Sequence, residues 1–301
     1  MSELHIPAGT SAQAPYDTVI DPGEREDWVH TGLRVLALEP GGSARLGTGR
    51  TEIMVVPLSG ACSVQVSDRD GDHDFDLAGR SDVFASATDV AYAGIESSLV
   101  VRSEQGGRFA LAIAVATSFH PAARVAAEDV PVEVRGGGNM TRQVRNFGTV
   151  GSFDDCDSII ACEVITPGGN WSSYPAHKHD ETIEDPDHPE SELEEIYYYE
   201  IQDAPDGGPG FGYHQTTSTD PERPIDVLAE VRSGDVVLVP HGWHGPCAAA
   251  PGHAMYYLNV MAGPGAERAW NITDRPDQTW VRGTWDELGP DPRLVEGADG
   301  A

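Results

Sequence analysis

The chain is expected to be all-β, built as two tandem antiparallel β-barrel units. Three observations carry this expectation. Short β-rich runs are separated by Gly/Pro/Asp turns, as in barrels and sandwiches. Sustained helical periodicity is nearly absent. Finally, 301 residues with a 39% hydrophobic fraction, including 7 Phe, 9 Tyr and 6 Trp, suffice for a sizeable core and argue against disorder or a disulfide-stapled miniprotein.

In the first half the strand candidates run from Arg34 to Leu38, Glu52 to Val56, Cys62 to Ser67, Leu99 to Ser103 and Phe109 to Ala116. The second half offers Ile159 to Ile165, Ile196 to Ile201, Gly212 to Thr217, Asp226 to Val231, Val236 to Val239 and Tyr256 to Val260. Gly136-Gly137-Gly138-Asn139 reads as the joint, giving an amino-terminal unit over 1–138 and a carboxy-terminal unit over 139–289. A flexible tail is expected over 290–301, where the chain is polar and Gly/Asp-rich. Gly79-Arg80-Ser81-Asp82-Val83-Phe84 resembles Ser233-Gly234-Asp235-Val236-Val237-Leu238 as a tight turn feeding a buried strand, which fits a duplication. Trp270, Trp280 and Trp285 are read as packing a return segment over the second barrel rather than as a binding platform.

Composition narrows the partners. The 49 acidic residues outnumber 19 basic ones, for a formal charge of −30. Such a surface repels phosphate backbones and anionic headgroups, so neither nucleic acid nor membrane is an expected partner. The first residues show no basic region followed by an apolar run, and no stretch approaches the roughly 18 apolar residues of a span. Cys62, Cys156, Cys162 and Cys247 form no CxxC pair, so reduced buried thiols and a cytoplasmic location are expected. Homo-oligomerisation stays open.

Three pieces of the second half carry chemistry. In Pro175-Ala176-His177-Lys178-His179-Asp180, period-two spacing places both imidazoles on one strand face, as chelation of one ion requires. Glu192-Leu193-Glu194-Glu195 stands at the mouth of the aromatic run Ile196-Tyr197-Tyr198-Tyr199. Gly234-Asp235-Val236-Val237-Leu238-Val239-Pro240-His241-Gly242-Trp243-His244 is a buried strand ending in a histidine-bearing turn. Each piece alone has a bland reading: surface histidines, a solvated acidic edge, a structural turn. Together they supply three imidazoles and a carboxylate, a mixed N/O shell suited to a divalent transition metal with open positions.

This pattern resembles the metal site of the cupin superfamily. The wording of Gly169 to Pro175, of His177 to Asp180, of Glu192 to Tyr199, of Gly234 to Pro240 and of Tyr256 to Pro264 is similar to the 5-deoxy-glucuronate isomerases of myo-inositol catabolism. Those enzymes are related to the 4-deoxy-threo-hexosulose-uronate ketol-isomerases. The resemblance implies a bicupin whose carboxy-terminal barrel alone keeps a metal, with His177, His179, Glu195 and His244 as ligands. Zinc is the expected ion, with Mn2+ or Fe2+ as alternatives. Fifteen residues separate His179 from Glu195 where ordinary cupins have a few, and one residue separates Gly242 from His244. Glu194 and Glu192 are therefore alternatives to Glu195, which is preferred because it abuts the aromatic strand. His30, His73 and His120 stand alone, so the first barrel is expected to be metal-free.

The implied reaction is an aldose–ketose isomerisation of a uronic acid. A metal shell with open positions can chelate an aldehyde and its neighbouring hydroxyl, and one or two groups must then shuttle protons. Asp180, Glu192 and Tyr198 are shuttle candidates because they lie near the ligands in sequence; Glu194 and His188 are equally near. Arg142, Arg145 and Lys178 are candidate anchors for the substrate carboxylate, the arginines because guanidinium forks match carboxylates. Lys178, the only lysine, alternates with the two histidines, which points it to the opposite face. The competing readings are an Fe(II) or Mn(II) dioxygenase, an isomerase of a related deoxy-uronate, and a non-catalytic binding or storage protein.

Overall fold

A computed structural model describes residues 3–295. The chain is mostly β, and its sheets stack in four layers. The first inner sheet runs Ala123–Val125, Val90–Ala93, Thr51–Asp68, Gly107–Val115, Thr31–Leu38, Tyr16–Ile20. The second inner sheet runs His5–Ile6, Val236–Val239, Glu194–Ile201, Met255–Ala262, Ile160–Thr166, Arg142–Gly148, Val132–Arg135. Five consecutive strands of each sheet, from Val90–Ala93 to Tyr16–Ile20 in the first and from Val236–Val239 to Arg142–Gly148 in the second, occur in the same chain order and the same spatial order, which supports the duplication more firmly than the short turn likeness does. That likeness fails locally: Ser81 to Phe84 form a turn, and the corresponding strand starts only at Val90.

Each inner sheet is buried on both faces, which explains the unbroken apolar runs. One face of the first encloses Leu36, Val55, Phe109 and Leu111 with Val64, Leu77 and Val101 of the outer strands. The second does the same with Val164, Tyr197, Tyr199 and Tyr257 against Val227, Val231, Cys247 and Ala249. The remaining faces meet each other: Leu33, Val35, Met54, Tyr92 and Ala112 pack against Ile196, Tyr198, Leu238, Tyr256 and Val260. A buried ion cluster pins this contact. Arg80 pairs with Glu163, Tyr256 Oη donates to Glu163 Oε1 at 2.8 Å, and Arg145 Nη1 lies 3.8 Å from Glu163 Oε2.

Most expected strands stand within one or two residues of their positions. Glu52 to Val56 and Cys62 to Ser67 are a single strand, Thr51–Asp68, because register shifts after Pro57 and after Gly60 let it bend through the turn-like residues between them. The glycine run is no joint between units. It turns Val132–Arg135 back onto Arg142–Gly148 within one sheet, with Gly136 at φ 96° and Gly138 at φ 54°. His5–Ile6 likewise pairs with Val236–Val239 of the second half. The boundary at 138 thus cuts through the second inner sheet, and the chain crosses between halves near Ala127–Asp129. The start of the expected tail is tied down: Arg293 Nη1 donates to Gly168 O at 2.9 Å and Asn170 Nδ2 donates to Asp291 Oδ2 at 3.0 Å. Residues 296–301 lie outside the described residues. No helix among the described residues is long and apolar enough to cross a membrane, and all four cysteines are free and buried.

Candidate metal centre and active site

Three elements deliver the histidines and the carboxylate. His177 stands opposite His244 across paired strands, and the ring centroids of His179 and His244 are 4.6 Å apart. The ligand nitrogens of His177, His179 and His244 all lie within 4.8 Å of one another. Glu195 Oε2 is 3.1 Å from His179 Nε2 and 3.2 Å from His244 Nε2. The long insert does not separate His179 from Glu195. Leu193 N donates to His179 O at 2.9 Å and His179 Nδ1 faces Leu193 O at 3.1 Å, so the loop closes on itself and returns the carboxylate to the imidazole.

The outer nitrogens fix the tautomers. His177 Nδ1 faces Pro175 O at 3.3 Å, His179 Nδ1 faces Leu193 O, and His244 Nδ1 faces Gly242 O at 3.0 Å. A carbonyl only accepts, so each Nδ1 is the donor and each Nε2 turns a lone pair inward. His244 Nε2 is buried without a hydrogen-bond partner. Lone pairs crowded against a carboxylate oxygen fit a cation at their centre, and this N3O donor set suits a divalent transition ion. The electrostatics divide among these residues: burial would lower His179, but its hydrogen bond with Glu195 raises it above its ordinary value. Burial, reinforced by His244 and His179, pushes His177 well below its ordinary value, so it stands neutral. Burial would raise the Glu195 carboxyl, but His179 and His244 hold it well below the usual carboxylate range.

Strand parity decides among the glutamates. Glu195 shares its face with Tyr197 and Tyr199. Glu194 points the other way, where its carboxylate accepts from the backbone N–H groups of Val29, His30 and Thr31 at 2.7, 2.8 and 3.1 Å. Glu192 is exposed and lines no part of the site, so it is neither ligand nor shuttle in this geometry. Tyr198 is also displaced by parity: its ring lies in the core between the halves, and its hydroxyl donates to Glu200 and accepts from Arg108 at 2.6 Å. Asp180 is committed elsewhere, accepting from Lys178 Nζ at 2.6 Å, Gly242 N at 2.9 Å and Thr219 Oγ1 at 3.2 Å. It braces the turn that carries His244.

Of the anchor candidates only Arg142 lines the cavity. Arg145, three residues on, faces the opposite side and donates to Val83 O at 2.9 Å and to Ser86 O. Lys178 sits in a carboxylate cage of Asp180, Glu181 and Glu190. Those three carboxylates form a second acidic cluster, but the ammonium already occupies its middle.

Sequence reasoning missed much of the lining. Besides His177, Glu195 and Arg142, the cavity wall includes Ser173, Tyr197, Tyr257, Asn259, Trp270, Arg135 and Arg282. Ser173 Oγ lies 3.3 Å from Tyr197 Oη and 3.2 Å from Tyr257 Oη. Burial raises both phenols well above their ordinary value, so both stay protonated. Asn259 Nδ2 and Trp270 Nε1 are buried donors without protein acceptors. Trp270 is thus part of the site, Trp285 stacks on its arginines, and Trp280 is 63% exposed, its indole donating to Asp277 O at 3.2 Å. The period-two rule applied outward from Glu195 would have selected Tyr197; nothing local marks Asn259 or Arg282.

A model of the KduI/IolB family matches residues 5–281. The chain is 36% identical over 283 residues to the 5-deoxy-glucuronate isomerase of Geobacillus kaustophilus, covering 93% of this chain and 96% of the relative. To the 5-deoxy-glucuronate isomerase of Bacillus subtilis (strain 168) it is 34% identical over 256 residues, 85% and 89% of the two chains. The crystal structure of an IolB-like protein from Salmonella typhimurium superposes with a TM-score of 0.82 at 29% identity, over 93% of this chain and 99% of that one. An oxalate decarboxylase from Lactobacillus farciminis, solved as a formate complex, superposes with a TM-score of 0.62 at 13% identity, over 98% and 96%, and shares the fold.

Proposed function

The chain belongs to the KduI/IolB family, and from that premise we propose that it is an aldose–ketose isomerase converting 5-deoxy-D-glucuronate to 5-dehydro-2-deoxy-D-gluconate in myo-inositol catabolism, in the cytoplasm. Its architecture on this reading is a bicupin with a metal in the second unit only. Zinc is the proposed ion, held by His177, His179, His244 and Glu195. The observation that supports the reading most is the meeting of that donor set with a polar, donor-rich wall in one cavity.

When bound, a divalent ion there supplies Lewis acidity to a carbonyl and its neighbouring hydroxyl. The chain's own groups bind and orient the substrate. Asn259 Nδ2 and Trp270 Nε1 offer hydrogen bonds that a ligand's acceptor oxygens can take. Tyr197 and Tyr257 hold their phenolic protons and donate toward negative charge developing on substrate oxygens. Ser173 Oγ, between the two phenols, links their hydroxyls in one hydrogen-bonded row and so orients both toward the substrate. Its backbone sits at φ 45°, a cost retained at a residue packed between the phenols and the Gly245 turn.

Proton NMR of 5-deoxy-glucuronate with the purified protein in anaerobic buffer, with and without a chelator, tests the proposal. Conversion to the keto acid that stops on chelation is expected. An absence of conversion with metal demonstrably bound rejects this substrate.

A further inference from the structure

The wall of the cavity holds three guanidiniums in a protein with only 19 basic residues. Arg135 and Arg142 are cross-strand partners in the second inner sheet. Arg282 arrives from the far end of the chain, on the 3-10 segment Pro276–Thr284. That segment is fastened beside the metal ligands: Ala176 N donates to Gln278 Oε1 at 2.7 Å, Arg275 N donates to Ala176 O at 2.8 Å, and Thr273–Asp274 pairs with His177–Lys178. The guanidinium carbons of Arg142 and Arg282 each lie 5.1 Å from the centre of the Trp285 ring.

Two of the three charges are answered. Arg135 pairs with Glu133 through two hydrogen bonds, and Arg282 pairs with Asp274 in the same way. Arg142 meets no carboxylate within ion-pair distance among the described residues. It is 7% exposed and makes one protein hydrogen bond, to Met140 O at 3.3 Å. A buried guanidinium with most of its five donors unused is costly unless an anion completes it. One unanswered positive charge remains, which matches a monoanion.

We infer that Arg142, with Arg282 laid beside it across Trp285 by the carboxy-terminal segment, is the subsite that binds the carboxylate of the substrate and so selects a sugar acid over a neutral sugar. This rests on the isomerase reading for the identity of the substrate, but the charge selectivity is measurable without turnover.

Isothermal titration of the full chain with D-glucuronate and with D-glucose, a matched acid and neutral pair, tests it. Wild type should prefer the acid by about 30-fold or more, as expected for charge-assisted bidentate bonds. In R142Q the preference should fall to within about threefold of unity, and R282Q should fall in the same direction. R145Q, on the opposite strand face, should keep it. Equal affinity of wild type for the two sugars, or equal loss in R145Q, overturns the inference. If the preference holds while 5-deoxy-glucuronate is not isomerised, the carboxylate subsite stands and the substrate assignment falls. In an active enzyme, kcat/KM of R142Q should drop about 100-fold, chiefly through KM.

Discussion

His179 Nε2 lies 3.1 Å from Glu195 Oε2 although 15 residues stand between them, and the opposite nitrogen of the same ring faces Leu193 O. The imidazole is gripped on one side by the base of the insert and offers its lone pair on the other. The insert is therefore a loop closed at its base, which returns Glu195 to His179.

His177→Ala should abolish stoichiometric metal binding and lower kcat/KM by roughly 10³-fold, the scale of Lewis-acid assistance, with the β circular-dichroism spectrum unchanged. Metal content by atomic emission is the deciding measurement. Stoichiometric metal in the variant would sink the ligand assignment.

The adjacent glutamates should separate cleanly. Glu195→Gln should lose metal, whereas Glu194→Gln should keep it and lose about 3 kcal/mol of stability, since a buried carboxylate taking three backbone N–H groups is replaced by an amide that accepts through one oxygen. Urea titration of both variants beside metal analysis checks this. The opposite pattern would reassign the ligand to Glu194.

Tyr257→Phe and Tyr197→Phe should each lower kcat by about 10²-fold, within the usual range of positioned proton donors. Tyr198→Phe should leave turnover within about twofold and weaken the contact between halves, because its hydroxyl bonds Arg108 and Glu200 instead. Undiminished kcat in both of the first two variants would remove the phenols from the reaction.

Stability should carry an acid limb from the first half. Burial would raise the Asp89 carboxyl, but Arg124 and the N–H groups of Ala78 and Gly79 lower it below its ordinary value. A carboxylate depressed in the folded state contributes stability above its unfolded pKa of about 3.9, lost as pH falls below that toward the folded value. Urea midpoints at pH 7 and pH 3 should therefore differ less in Asp89→Asn than in wild type. An equal difference in both would show that Asp89 is not linked to folding.

The cluster of His177, His179 and His244 was legible in the sequence because its residue types recur at spacings a strand or turn can bring together, and the fold does bring them together. Strands were legible because both faces of the inner sheets are buried, leaving long apolar runs. Parity was the avoidable loss: counting by twos from Glu195 reaches Tyr197, and from Arg142 reaches Val144 rather than Arg145. Arg282 and Trp270 could not be read out, since they reach the cavity by a return of the chain that no local pattern encodes. Gly136 to Gly138 misled because a hairpin that needs positive φ and a flexible linker use the same residue.

The two inner sheets bury their backs against each other through Met54, Tyr92, Ile196, Tyr198 and Leu258, and the Arg80–Glu163 pair bridges the seam. In this respect the molecule behaves as a tethered dimer of unlike subunits. Severed near Ala127, neither fragment would keep a soluble surface, and the two should recover a native state only when refolded together. The first half is then the folding partner without which the sheet that carries Glu195 has no second side.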